Sequence, residues 1–241
     1  MTEKTTLNRL LKNQSFPVSR NTGDSIDTFA SILAKLEQSI VVLSDLRNNR
    51  SRIYCGEFAR RIGITGYSSE NSIWETSLLS LFTPEEQEEK YRAELRFFHF
   101  LRHFPKPQQR HWQLWSRLRL SDGTGVLHKM CYIFDDTTDT IEYALCVYGP
   151  DLSGLSFKSA AINSVTGETV LLTSKDDFRI LTRREVQVLA LIDKGMSSSE
   201  ISDRLALSIH TVSRHRQKII SKLQVKSTLE ALNVAKSMSL I

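Results

Sequence analysis

The chain has 241 residues, 40% of them hydrophobic and 24% charged, with a net charge of +5; that is ordinary globular composition, enough for one large or two small domains. No apolar run reaches membrane-spanning length, and the opening MTEKTTLNRLLKNQSF has no apolar core followed by a small-residue cleavage site, so neither an anchor nor a signal peptide is expected and a cytoplasmic protein is. Cys55, Cys131 and Cys146 are far apart and no CxxC spacing occurs, so reduced thiols are expected rather than a disulfide framework or a metal site.

In chain order, residues 1–29 read as a polar N-terminal arm leading into a weakly helical segment, Ser25–Leu36. SIVVLSDLRNNRSRIYCG then predicts two strands around an Asn-Asn-Arg turn, and EFARRIGITGYS a short helix ending at Gly63 or Gly66. Thr83-Pro84-Glu85-Glu86 opens a further helix, with Thr83 as cap and Pro84 at its first position. It runs through Phe97, Phe98 and Phe100 and ends before Pro105. From Trp112 the period changes to two. Trp112, Leu114, Leu118 and Leu120 face one way, and Gln113, Arg117 and Arg119 the other. Ser121-Asp122-Gly123 is a hairpin turn, and VLHKMCYIF and IEYALCVYG follow as strands parted by the polar loop Asp135–Thr140.

This order of two strands, small helices and a three-strand antiparallel meander resembles a PAS-type sensor domain over 30–150. GYSSE after a helix, the TPEEQ helix start and the SDGTGVLHKMCYIF hairpin carry the resemblance. It implies a five-stranded antiparallel sheet with helices over one face and an interior able to hold a small-molecule ligand. Chemistry is sparse here. Asp135-Asp136 reads as a solvated turn rather than an acid pair. His99, His103, His111 and His128 are haem-ligand candidates without a supporting motif, and the Asn-Cys-Arg context of flavin photoreceptor domains is missing. No cofactor is expected, and no nucleophile elbow or phosphate loop points to an enzyme. Residues 151–180 read as a connector, with AINSVTGETVLL a small hairpin turning at Thr166-Gly167.

The last segment, 181–241, holds ten Lys and Arg against five acids, the whole positive surplus of the chain; such asymmetry points to a polyanionic partner. Thr182 with Glu185, Ser197 with Glu200 and Ser227 with Glu230 each have capping-box spacing, which predicts helices over 182–193, 197–205 and 227–237. Gly195 supplies the left-handed residue that ends the first. A fourth helix starts at Ser208, where position N3 is Thr211 and not an acid, so nothing there repels a phosphate. On a helical wheel Val212, Ile219, Ile220 and Leu223 make the apolar stripe, and His210, Arg214, Gln217 and Ser221 the opposite face. Thr211, Lys218 and Lys222 lie on one flank and Ser213 toward the other. His215 falls near the core edge, and Arg216 lies near the stripe, its guanidinium expected to snorkel outward. Two helices joined through a turn at 206–208 make a helix-turn-helix.

LTRRE, the VLALI run, the Gly195 turn, SEIS, TVSRH and KLQV together resemble the LuxR/FixJ-type DNA-binding domain over 181–241. The resemblance implies four helices, the third entering the major groove of double-stranded DNA and the fourth supporting a homodimer. It implies base contacts from Ser213, Arg214 and Gln217. Many members carry Lys where Ser213 stands, and Lys or Asn near Gln217. Thr211, His215, Arg216, Lys218 and Lys222 are the candidates for backbone contacts. The expected fold is thus α+β, a PAS-like five-stranded sheet followed by an all-α domain. The expected function is transcriptional regulation through a sensing or dimerising N-terminal domain. An acyl-homoserine-lactone-type receptor or a phosphorylation-controlled response regulator with the same output are the alternatives.

Overall fold

The computed structural model describes residues 3–12, 23–138, 140–173, 181–223, 225, 227–237 and 240–241. The chain divides into two compact units, Leu11–Leu172 and Thr173–Ile241, the latter grouped with the first ten residues. No helix among the described residues is long and apolar enough to cross a membrane.

The elements preceding the meander are α1 (Glu3–Lys12), α2 (Gly23–Leu36), β1 (Ile40–Asp45), β2 (Arg50–Cys55), α3 (Glu57–Arg61), β3 (Ser69–Glu70), α4 (Thr76–Leu79), α5 (Pro84–Leu101) and α6 (Lys106–Gln109). The meander follows as β4 (Trp112–Arg119), β5 (Gly125–Phe134) and β6 (Ile141–Pro150), and the hairpin as β7 (Ser159–Asn163) and β8 (Thr169–Leu171). Within the N-terminal arm, residues 3–12 form the helix α1. The remainder of that arm, 13–22, and the connector residues 174–180 lie outside the described residues.

Among the described residues all pairings are antiparallel, and the eight strands run in the order β3-β2-β1-β6-β5-β4-β7-β8. That is three more strands than the five expected. The hairpin of 159–171 does not remain a connector but extends the sheet along the open edge of β4, Trp112 facing Asn163 and Ser116 facing Ser159. An unpaired β4 would expose a row of backbone donors and acceptors, and β7 satisfies them.

Burial follows the pleat. Trp112, Leu114, Ser116 and Leu118 of β4, with Val126, His128, Met130 and Tyr132 of β5, point to a buried face, while the residues between them are half-exposed. α5 lies over that face through an aromatic layer. Phe97 stacks on Tyr132 at 6.0 Å, and Phe100 meets Trp112 edge-on at 4.8 Å. On the opposite face Ala30 and Ala34 of α2 pack against Val41, Leu43, Tyr143, Leu145 and Val147. β6 is covered on both sides, which accounts for its near-continuous apolar run. α2 is tied down by Arg52–Asp27 at 2.8 Å, by the Tyr54 hydroxyl donating to Asp27, and by Lys129–Glu37 at 2.5 Å across the chain turn that follows it. Gly56 fills the crossing of this layer with β2: a Cβ there would meet the Ala34 carbonyl oxygen at 2.5 Å, closer than any side chain tolerates.

The polar loop after β5 is a capped turn. Asp135 Oδ1 accepts from the hydroxyls and amides of Thr137 and Thr138, and those bonds, the Thr137 hydroxyl first, hold its carboxyl far below the usual range. Asp136 pairs with Arg110 at 2.6 Å. Both acids are engaged in holding a turn.

Candidate nucleic-acid interface

The C-terminal unit contains α7 (Arg183–Asp193), α8 (Ser198–Leu205), α9 (Ile209–Leu223) and α10 (Thr228–Ser237). Local chemistry sets each start. Thr182 and Glu185, and Ser197 and Glu200, form complete capping boxes, and the Glu230 amide donates to Ser227 Oγ at 3.2 Å. Gly195 takes φ +78° after α7. Ala206 takes φ +51°, and the Leu207 amide returns to the Ser202 carbonyl at 2.9 Å, which closes α8 in a left-handed cap. Ser208 then caps α9, accepting from the Thr211 amide at 3.1 Å. No acid stands in the first turn of α9, so its free amides remain open to an anion. The α8–turn–α9 geometry is that of a helix-turn-helix.

The α9 stripe packs as its spacing requires. Val212, Ile219 and Leu223 are buried with Val188, Leu189, Ile201, Ala231 and Val234, and Ile220 is half-buried. Outward face His210, Ser213, Arg214, Gln217, Lys218 and Ser221, all exposed; Thr211, His215 and Arg216 are half-buried. Ser213, Arg214 and Gln217 therefore share one solvent face of one helix. Among the described residues neither Arg214 nor Lys218 has an ion-pair partner.

Two cations of α9 are placed differently from the expectation. Arg216 does not snorkel to solvent. Its Nη1 donates to Ser198 Oγ at 2.8 Å, and its Nε and Nη2 reach Thr228 Oγ1 at 3.4 and 3.3 Å, so it ties the starts of α8 and α10 to α9. Both hydroxyls stand at helix starts within hydrogen-bond reach of the half-buried guanidinium, and these bonds hold it to the protein. Lys222 Nζ donates to Glu185 Oε2 at 2.7 Å. Burial pushes the Glu185 carboxyl up, but the Lys222 ammonium and the Thr182 amide outweigh it and hold the group below the usual carboxylate range. Two brackets escaped the sequence reading: Arg184 Nη2 donates to the Leu205 carbonyl at 2.7 Å, and Lys236 meets Asp193 at 2.6 Å. The first sets the end of α8 from α7, the second joins α10 to α7. The only sequence signal for either is charge placed where helices end.

Residues 179–235 match the family model of bacterial regulatory proteins, luxR family. The C-terminal unit thus carries a LuxR-family helix-turn-helix domain. Over 63 residues the chain is 41% identical to the oxygen regulatory protein NreC of Staphylococcus carnosus, a stretch covering 26% of this chain and 29% of that protein. NreC of Staphylococcus haemolyticus is 38% identical over 64 residues, 27% of this chain and 30% of the relative. The chain thus spans less than a third of the length of these curated relatives. Among solved structures, the phage VqmA–DPO complex is 14% identical, covers 90% of this chain and 87% of its own, and overlays with a TM-score of 0.32. Escherichia coli SdiA is 12% identical, with coverage of 99% and 97% and a TM-score of 0.30.

Proposed function

We propose that the chain is a sequence-specific, DNA-binding transcriptional regulator. α9 enters the major groove, Ser213, Arg214 and Gln217 read base edges, and Thr211, His215 and Lys218 hold phosphates. The observation that carries this reading is the face of α9: an unpaired arginine and a glutamine, three positions apart and both exposed, on the second helix of a helix-turn-helix. Arg and Gln make bidentate hydrogen bonds to guanine and adenine respectively, and a lysine beside them supplies a phosphate contact.

In the same reading residues 30–150 form a PAS-like domain that senses a signal or mediates dimerisation. Support comes from the inner strand order β2-β1-β6-β5-β4, with α3, α4 and α5 inserted between β2 and β4. The wholly antiparallel sheet disfavours the response-regulator alternative, because a phosphoreceiver needs a doubly wound parallel sheet.

The test is selection of bound sequences from a random duplex pool, followed by a base-substitution series. Arg214→Ala should weaken the selected site by about 1–3 kcal/mol and relax preference at one position per half-site. An unchanged preference profile would remove Arg214 from base reading. Lys218→Ala should weaken all sequences alike and lower the salt slope by about one unit. Lys222→Ala, whose ammonium is bound to Glu185, should change the slope less and lower the melting temperature of the helical unit instead. Equal slope changes for the two lysines would place both on phosphates.

A further inference from the structure

The interior of the sheet unit holds a polar cluster that DNA binding does not use. Glu94 stands on α5, His128 on β5, Cys146 on β6, Lys90 one turn before Glu94, and Glu75 at the start of α4. All are buried, His128 at 0% and Lys90 and Glu75 at 1% exposure. Lys90 Nζ lies 2.8 Å from Glu94 Oε1 and 3.1 Å from Glu75 Oε1, and the Tyr148 hydroxyl donates to the same Glu75 oxygen. His128 pairs with Tyr148 and Met130 with Cys146 across β5 and β6, so His128 and Cys146 are diagonal neighbours on one face, and α5 brings Glu94 onto them. One ligand atom from each of Glu94, His128 and Cys146 lies within 4.8 Å of the others.

Two features leave this cluster incomplete. A single buried ammonium is shared by two buried carboxylates, and an imbalance of charged groups in an interior is costly. His128 is the second. Among the described residues neither ring nitrogen has a hydrogen-bond partner, and the Glu94 oxygen it faces is 3.6 Å away, although a buried imidazole ordinarily satisfies its N–H and its acceptor.

We propose that Glu94, His128 and Cys146 are the protein ligands of one divalent transition-metal ion, of the zinc type. The donor set of carboxylate oxygen, imidazole nitrogen and thiolate sulfur suits zinc and excludes magnesium and calcium. Metal–ligand bonds of about 2.0–2.3 Å in a tetrahedron put donor atoms roughly 3.3–3.8 Å apart, which small side-chain rotations reach from the arrangement present. Binding forms a metal–sulfur bond and breaks the Cys146 S–H bond, its proton leaving to solvent. The ion's two positive charges then cancel the thiolate and the carboxylate that Lys90 leaves unbalanced. Three protein donors leave the fourth position to water or to a small exchangeable ligand. No linear motif announces the site, because its ligands are 34 and 18 positions apart on three elements.

The test uses the full chain, produced in zinc-free medium supplemented with Co²⁺ so that the ion is present as the closed site forms. The expected result is one cobalt per chain, with tetrahedral d–d absorption and a thiolate-to-cobalt charge-transfer band. Cys55→Ala/Cys131→Ala, which leaves Cys146 as the one thiol, should keep both. Cys146→Ser should lose the charge-transfer band and at least tenfold in affinity. Purified chain without stoichiometric cobalt, or a charge-transfer band lost in the Cys55→Ala/Cys131→Ala protein, overturns the proposal whether or not Cys146→Ser folds.

Discussion

Replacing Lys90 by methionine should destabilise the sheet-containing unit by about 3–5 kcal/mol at neutral pH, the cost of breaking a buried ion pair by removing one partner. Methionine matches the stem in volume, so the loss is of charge rather than packing. The ammonium is the cation shared by Glu75 and Glu94, and it also sits 5.4 Å from the Trp74 ring and 5.3 Å from that of Tyr91. The pH dependence carries a definite sign. Burial raises the Glu94 carboxyl above the usual range and Lys90 pulls it part of the way back. A carboxyl raised in the folded state contributes stability that is present at low pH and lost as pH rises through its folded pKa. Without Lys90 the group rises further, so the variant's deficit should be largest at neutral pH and shrink on acidification, as Glu94 takes up a proton. Tryptophan fluorescence during denaturant unfolding, with chelator present, reads this unit alone, because Trp74, Trp112 and Trp115 all lie in it. An unmoved midpoint at pH 7, or a deficit that grows as pH falls, would refute the account.

The same cluster shows where sequence reasoning stops. Lys90 and Glu94 are four apart in PEEQEEKYRAEL, the spacing of a solvated surface pair, and only the fold of α5 onto the sheet turns that pair inward. The helical unit was far more legible. Its starts rest on hydroxyl and carboxylate groups within one turn, and its packed face on a 3.6 period, both local properties. Arg216 and Lys222 mark the limit even there: a wheel gives an angle, whereas the partner a long side chain reaches, Ser198 and Thr228 or Glu185, depends on neighbouring helices. In the sheet, alternation in β4 located its buried face, and Thr166-Gly167 located the hairpin. Pairing of β7 with β4 is a contact between strands some 45 positions apart, and nothing in either strand's own pattern specifies its neighbour.

The full chain should bind an operator of two half-sites about 10²–10⁴-fold more tightly than the fragment 178–241, the gain expected when a second contact becomes intramolecular. One helix-turn-helix domain reads a few base pairs, and two-fold-related half-sites sit roughly 34–36 Å apart. The four short helices of 181–241 bury little apolar surface on their own, so in the proposed regulator a stable homodimer is expected to draw on the sheet-containing unit. Its α2 offers an apolar stripe directed away from the sheet: Phe29, Ile32 and Leu36, spaced by three and four residues, are 54%, 50% and 77% exposed, while Ala30 and Ala34 on the other side pack inward. If the proposed regulator dimerises through this unit, a second copy of the same stripe is the expected partner of this face. Phe29→Asp/Leu36→Asp should therefore give a monomeric mass by light scattering and reduce operator affinity to that of the fragment, with the selected sequence of each half-site unchanged, because α9 is untouched. A parent chain that is monomeric on its operator and binds no better than the fragment would show that α9 acts singly and that the sheet-containing unit does not supply the dimer.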